Sequence, residues 1–286
     1  MSHPRAPGAA PVRVIVPDLG TFVARAGVGP VAIAALIEIH RRETDPSRVL
    51  KRNRGTVVTR VSSSLPGAAG EWVVKETPIP WRRRIYHRVG GRSRLAGEFE
   101  RVAALAALGI DAPRPLAASA RPEGRSEYLI ADLIAGASAL RDLLWMGPEP
   151  VEDPGLRRRL LEGAGAWLRG LHEAGVWQRD MKAGNMLATH PREGPERFFL
   201  IDIDGVRFLR GPLAEGRRVR NLAQILDLPA RFDEEAGAAL LAGYAGGDAA
   251  LRERLRRLAS RALESRRRER EGRTGARHVD EEVADA

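Results

Sequence analysis

Hydrophobic and polar positions follow two periods along this chain, and the change from one to the other divides it. From Val31 to Arg41 apolar residues recur every three or four positions, which predicts a short helix. After Asp45-Pro46 the texture changes. SRVLKRN, GTVVTRVSS and EWVVKETP are rich in β-branched residues and are separated by turn material at Arg52-Asn53-Arg54-Gly55 and Leu65-Pro66-Gly67. They predict three short antiparallel strands. The helical period returns in RLAGEFERVAALAALGI, where Leu95, Phe99, Val102, Leu105 and Leu108 share a face until Gly109 and the prolines at 113 and 115 end the run. EYLIADLIAG reads as a strand entering a glycine-containing link, and ALRDLLW as a short helix. Positions 156, 160, 161, 164, 167, 168 and 171 then line one face of a long helix. MLAT and RFFLIDI predict two strands around a turn at Pro191-Arg192-Glu193-Gly194-Pro195, followed by helical texture down to a polar tail from about Arg266. Residues 1 to about 28, rich in Pro, Gly and Ala, read as irregular, and the chain carries no internal repeat.

These patterns predict an α+β protein with a small antiparallel β-sheet lobe and a mainly helical lobe. The expected boundaries are an N-terminal extension with a short helix at 1–44, the sheet lobe at 45–132, the helical lobe at 133–265 and a polar, flexible tail at 266–286. A single link near residues 132 to 136 would leave a cleft between the lobes, where small-molecule sites commonly lie.

Composition narrows the chemistry. The 286 residues, 43% of them hydrophobic, suffice for one large or two small cores. The absence of cysteine excludes disulfides and thiolate metal sites and favours a reducing compartment. The longest apolar run, Val31 to Ile39, is interrupted by Glu38 and falls well short of the roughly 18 residues of a membrane span. The prolines and Asp18 near the N-terminus do not fit a signal peptide, so a cytoplasmic location is expected. With 47 Lys plus Arg against 37 Asp plus Glu, the net charge is +10, and arginine is clustered in WRRRIYHRVGGRSR, LRRRL and LRERLRRLASRALESRRRERE. Such clusters favour anionic partners: nucleotide, nucleic acid, phospholipid or phosphorylated sugar. Leu251, Leu255, Leu258 and Leu263 would give the terminal helix an apolar stripe beside a basic face, suited either to an anionic membrane surface or to solvent.

Two segments concentrate oxygen donors beside apolar strands. WQRDMKAGNML carries Arg179, Asp180, Lys182 and Asn185, and LIDIDG carries Asp202, Asp204 and Gly205. An Asp and an Asn five apart on a loop, with a second Asp at the end of the next hairpin strand, can converge on one point. Oxygen donors without His or Cys suit Mg²⁺, which keeps several waters and takes few protein ligands besides phosphate. Lys75, in WVVKE, adds a cation for phosphate oxygens, and Glu98 on the following helix could hold it in an ion pair, with Glu100 close by as an alternative surface charge. The bland reading of Asp180, Asn185 and Asp202 is a set of turn and cap residues. Asp204 reads equally as a second metal ligand or as a local cap, and His172 and His190 receive no role.

In this order, Lys, Glu, Asp-x-Lys-x-x-Asn, Asp, the chain resembles the protein-kinase-like superfamily. GVWQRDMKAGNML resembles its catalytic loop, FLIDIDG its metal-binding Asp-Phe-Gly segment and VVK its third-strand lysine. Over roughly residues 48 to 230, LKRNRGTVVTRV, VVKETP, EFERVAALAALGIDAPRPLA, LIDIDGVRF and RRVRNLAQIL look most like the lipopolysaccharide kinase (Kdo/WaaP) family. The resemblance implies a two-lobed kinase using ATP and Mg²⁺. Asp180 would orient or accept the hydroxyl proton, Lys182 would offset charge at the γ-phosphate, and Asn185 and Asp202 would bind metal. Lys75, with Glu98, would contact the α- and β-phosphates, and the backbone from Ile130 to Leu133 would face adenine. The expected acceptor is a hydroxyl of an anionic saccharide or glycolipid, met at the inner face of a membrane.

Three features depart from the superfamily pattern. Gln178 stands where a histidine is usual, Asp204 replaces a glycine, and the phosphate loop KRNRG has one glycine instead of three. No Ala-Pro-Glu segment follows Asp202, which argues against a peptide-docking kinase. A protein Ser/Thr kinase, a small-molecule antibiotic kinase and a catalytically impaired pseudokinase that regulates by binding nucleotide are the competing readings. A nucleic-acid binder is favoured by charge alone.

Overall fold

Where irregular chain was expected, Val12–Val16 (β1) and Gly20–Ala24 (β2) form a hairpin. The computed structural model describes residues 10–53, 55–88, 91–190, 195–227 and 234–284. The turn between β1 and β2 places Asp18 and Gly20 at φ 62° and 92°, and a Cβ at Gly20 would meet the Arg121 carbonyl at 2.2 Å, so glycine is required there. Pro11 and Pro17, which suggested irregular chain, stand just outside β1, where a missing N–H costs no ladder bond.

The chain divides into two compact units, Met1–Ala135 and Gly136–Ala286. In the first, Val49–Asn53 (β3), Thr56–Ser63 (β4), Gly70–Pro78 (β5), Pro115–Pro122 (β6) and Ser126–Asp132 (β7) join the hairpin. The result is a seven-stranded antiparallel sheet of order β1-β2-β6-β7-β5-β4-β3. Helix α1, Pro30–Arg42, lays Ile33, Leu36 and Ile37 on one face of that sheet, against Phe22, Val61, Val74, Tyr128 and Ile130. Each of these large side chains contributes about 2 kcal/mol by leaving water.

Strand alternation sends Glu76 to the α1 face and its neighbour Lys75 to the opposite one. Glu76 is held there by His40 (Nε2–Oε2 3.3 Å) and by the Tyr128 hydroxyl, which donates at 2.8 Å. His40 meets Thr59 Oγ1 at 2.7 Å, and Arg41 donates to the Tyr128 oxygen at 2.7 Å. The hydrogen bond from His40, with help from Ser126 and Tyr128, overcomes burial and holds the Glu76 carboxyl down at about 2. Two short helices complete the unit: α2, Trp81–Arg88, and α3, Glu98–Ala107, the latter packed by β6.

The second unit is mainly helical. Asp153 caps α4, Pro154–Glu173, by accepting from the Leu156 N–H at 2.7 Å, with Pro154 at the first helical position. Helix α4 crosses α6, Glu234–Ala245, closely enough that a Cβ at Gly165 would lie 2.1 Å from the Leu240 carbonyl and one at Gly243 1.9 Å from that of Glu162. Ala137–Ala139 (β8), Met186–Thr189 (β10) and Phe198–Leu200 (β11) form a three-stranded sheet of order β11-β10-β8. Val176–Gln178 (β9) pairs with Val206–Phe208 (β12). Helix α5, Glu215–Leu226, follows, and α7, Ala249–Ala284, packs against α5 and α6.

Several expectations change here. ALRDLLW forms one π-helical turn at Asp142–Met146, and RFFLIDI is a strand only at Phe198–Leu200. α7 continues through the stretch expected to be a tail, and its Leu255 and Ala259 are buried, so the apolar stripe on its first turns faces protein. Residues 191–194 of the expected turn, and Arg54 of KRNRG, lie outside the described residues.

Gly243→Ala is expected to lower stability by about 2 kcal/mol or more in denaturant unfolding, because helix backbones must part. Gly170→Ala, exposed on α4 with nothing near the added methyl, is expected to raise it by up to about 1 kcal/mol.

Candidate active site

The second unit brings three of the sequence-predicted donors together. Asn185 ends a single 3-10 turn, Ala183–Asn185, and donates its Nδ2 to the Asp180 carbonyl at 2.8 Å. That bond commits the amide nitrogen and leaves Oδ1 as the group that can face a cation. The Asn185 carbonyl accepts the Ile201 N–H at 3.0 Å, which ties the loop to the residue before Asp202. Asp202 itself is exposed and left-handed, at φ 57° and ψ 48°. Among the described residues only Asp18 shares this sign of φ without being glycine, and Asp tolerates it better than most side chains.

Gln178 holds that conformation. Its Nε2 donates to the Asp202 carbonyl at 2.8 Å, and its Oε1 lies 3.4 Å from the Asp180 N–H. One buried side chain therefore spans both acidic segments and ties the backbone at Asp180 to that at Asp202. The approach depends on Gly205, where a Cβ would stand 2.4 Å from Gln178 Oε1. Asp180 and Lys182 are exposed, with Nζ 2.6 Å from Asp180 Oδ2.

Beneath the loop lies a buried amide network that the sequence reading missed. Asn221 and Gln224 of α5 are 0% and 6% exposed. Asn221 Nδ2 donates to the Gln178 carbonyl at 2.8 Å and to Gln224 Oε1 at 2.9 Å; Gln224 Nε2 donates to the Arg179 carbonyl at 2.8 Å and its Oε1 accepts the Met181 N–H at 3.1 Å. With both Asn221 donor hydrogens used, its Oδ1 must accept from His172 Nε2 at 3.1 Å, so His172 Nδ1 accepts from the Tyr244 hydroxyl at 2.8 Å. Burial pushes the His172 imidazole down to about 4, against the opposing hydrogen bond to Asn221, so it is neutral at pH 7. The available signal was two polar residues three apart inside the apolar stripe Val219, Leu222, Ala223, Ile225, Leu226.

In the first unit Lys75 is half-buried on β5, and Glu98 is buried at the start of α3 beside Arg101 (3.8 Å), whereas Glu100 is exposed. Burial thus separates the two glutamates that the sequence left open. Ile130 is wholly buried in β7 with its backbone paired on both sides, while Leu133, just past the strand, is half-buried and gives its N–H to the Glu71 carbonyl at 3.3 Å.

No ligand is needed to see which chemistry these groups suit. Two carboxylates, one committed amide and an adjacent ammonium, with no His or Cys among them, match a phosphate-bound Mg²⁺ better than a transition metal. An antiparallel-sheet unit is followed by a mainly helical one that bears this loop, and the class of protein, as the family model below shows, is a kinase. More particularly, the chain belongs to the lipopolysaccharide kinase (Kdo/WaaP) family, whose model matches residues 41–244. Among solved structures it is similar to WaaP in complex with acyl carrier protein, with 18% identity and a TM-score of 0.47, covering 75% of this chain and 88% of that one. No curated protein matches it.

Asn221→Asp is isosteric but replaces a double donor by acceptors that face two carbonyl-type oxygens. A stability loss of roughly 3 kcal/mol is expected in urea unfolding. Because His172 binds a proton more readily unfolded than folded, stability should fall as pH drops from 6.5 to about 4, by on the order of 3 kcal/mol, and His172→Gln should flatten that window. Glu76 acts over a lower range, with stability lost from 4.5 down to about 2, so the two can be told apart in pH-dependent unfolding.

Proposed function

We propose that this kinase transfers the γ-phosphoryl group of ATP to a hydroxyl of a saccharide or glycolipid. The observation that supports this reading is the Gln178 bridge, which links the backbone of Asp180 to that of Asp202, while Asn185 bonds back to the Asp180 carbonyl through Nδ2 and keeps Oδ1 uncommitted to that bond. Lys182 occupies one Asp180 oxygen and leaves the other to take the acceptor's proton. The hydroxyl oxygen attacks the γ-phosphorus, the new O–P bond forms as the bond to the β-phosphate oxygen breaks, and ADP leaves.

Asn185 Oδ1 and the Asp202 carboxylate would hold Mg²⁺, which when bound would draw charge from the phosphate oxygens. Lys182 would then move toward the γ-phosphate and offset its charge. In the first unit, Lys75 would contact the α- and β-phosphates with Glu98 as its partner. Of the segment from Ile130 to Leu133, the sheet bonds of Ile130 leave the part past Asp132, around Leu133, to meet adenine.

The saccharide or glycolipid acceptor follows from membership in the lipopolysaccharide kinase family and from the net charge of +10, which attracts an acceptor already bearing acid groups. No described helix is long and apolar enough to cross a membrane. A lipid-borne acceptor would be met by peripheral contact with the inner, cytoplasmic face of the cell membrane.

Incubation with ATP, Mg²⁺ and fractionated lipid and sugar pools, read by mass spectrometry, should yield a phosphorylated saccharide or glycolipid. Asp180→Asn should reduce its formation roughly 10³-fold, and Asp202→Ala should abolish it. Phosphate found on protein alone would favour a Ser/Thr kinase. ATP binding with no turnover above the Asp180→Asn background would favour the pseudokinase.

A further inference from the structure

We infer that α2 is a membrane-contact element whose outward face binds an anionic lipid surface. The sequence WRRRIYHR has no acidic residue, and its two faces differ sharply. The inward face is fixed to the first unit. Ile79, just before the helix, is buried and gives its N–H to the Arg125 carbonyl at 2.7 Å. Arg83 reaches Glu127, itself 2% exposed, at 3.7 Å, and the buried His87 meets the Gly91 carbonyl at 3.0 Å.

The outward face is the reverse of what solvent favours. Trp81, Ile85 and Tyr86 are 60%, 52% and 54% exposed, and helical spacing puts them on one side with Arg82 between them. The Arg82 guanidinium lies over the Trp81 ring at 5.3 Å, and Arg84 flanks the same surface. Among the described residues no carboxylate pairs with Arg82 or Arg84.

Charge and side-chain type together select the occupant. Trp and Tyr are amphipathic rings that settle at headgroup depth, Ile adds an apolar anchor, and arginine keeps its charge at the phosphate level. A second copy of this chain would bring arginine against arginine. The apolar stripe of α7 is not an equivalent site, since Leu255 and Ala259 are buried within the second unit. Electrostatic attraction alone should contribute about fivefold in binding for each arginine near an anionic surface.

The contact rests on α2 and not on phosphoryl transfer. Its test uses neither ATP nor acceptor, so failure here leaves the phosphotransfer reading standing. The full chain is sedimented with phosphatidylcholine vesicles and with vesicles containing phosphatidylglycerol. Binding is expected only to the second kind, weakened more than tenfold by Trp81→Ala/Ile85→Ala/Tyr86→Ala and also by Arg82→Ala/Arg84→Ala. Circular dichroism and thermal unfolding should stay unchanged, because Trp81, Arg82, Ile85 and Tyr86 are exposed and the half-buried Arg84 pairs with no carboxylate among the described residues. The inference is overturned by wild-type protein that stays in the supernatant, by folded triple variant that binds as well as wild type, or by α2-dependent binding to polyglutamate without binding to vesicles.

Discussion

Two carboxamides on α5 set the geometry on which the candidate active site depends. Asn221 and Gln224 offer N–H donors to the carbonyls of Gln178 and Arg179, and Gln224 accepts the Met181 N–H, so the backbone on either side of Asp180 is gripped from below. The loop's peptide groups are partly cut off from water, and an unpaired one would cost on the order of 1–3 kcal/mol. Satisfying them with side chains from a helix lets the loop stay irregular and still hold one shape. Gln178 passes that order upward to Asp202, whose left-handed backbone would otherwise relax.

The first unit uses similar means behind a different group. Glu76, His40, Thr59, Tyr128 and Arg41 form a partly buried network on the α1 side of β5, and strand alternation makes Lys75 the opposite face of the same anchored segment. In both units a histidine sits within hydrogen-bonded polar groups behind a side chain proposed to act on phosphate.

The chemistry-bearing loop was legible because its spacing is rare: Asp, Lys and Asn at fixed offsets, then Asp at a strand end. The elements that hold it were less so. Strand β6, PLAASARP, is too rich in alanine to read as β, and it is a strand because β2 and β7 pair on either side. Helix α2 was hidden by four arginines, which mask any periodicity. Asn221 and Gln224 merge into helical texture, since amphipathic patterning marks where apolar residues go and is silent on which polar ones are buried with them. Glu98 and Glu100 could not be separated by spacing alone and were separated by burial.

Family similarity begins at residue 41, yet the fold begins earlier. Half of the residues in the core cluster beneath the first sheet, from Val16 to Ile37, precede that point, and His40 lies at its edge. A fragment trimmed to the shared region would expose a sheet face of Val61, Val74 and Ile130 to water and free the glutamate next to Lys75. The segment that sequence comparison would discard as ornament supplies half of the cluster between α1 and the sheet, and among the described residues the sheet starts with the hairpin at Val12.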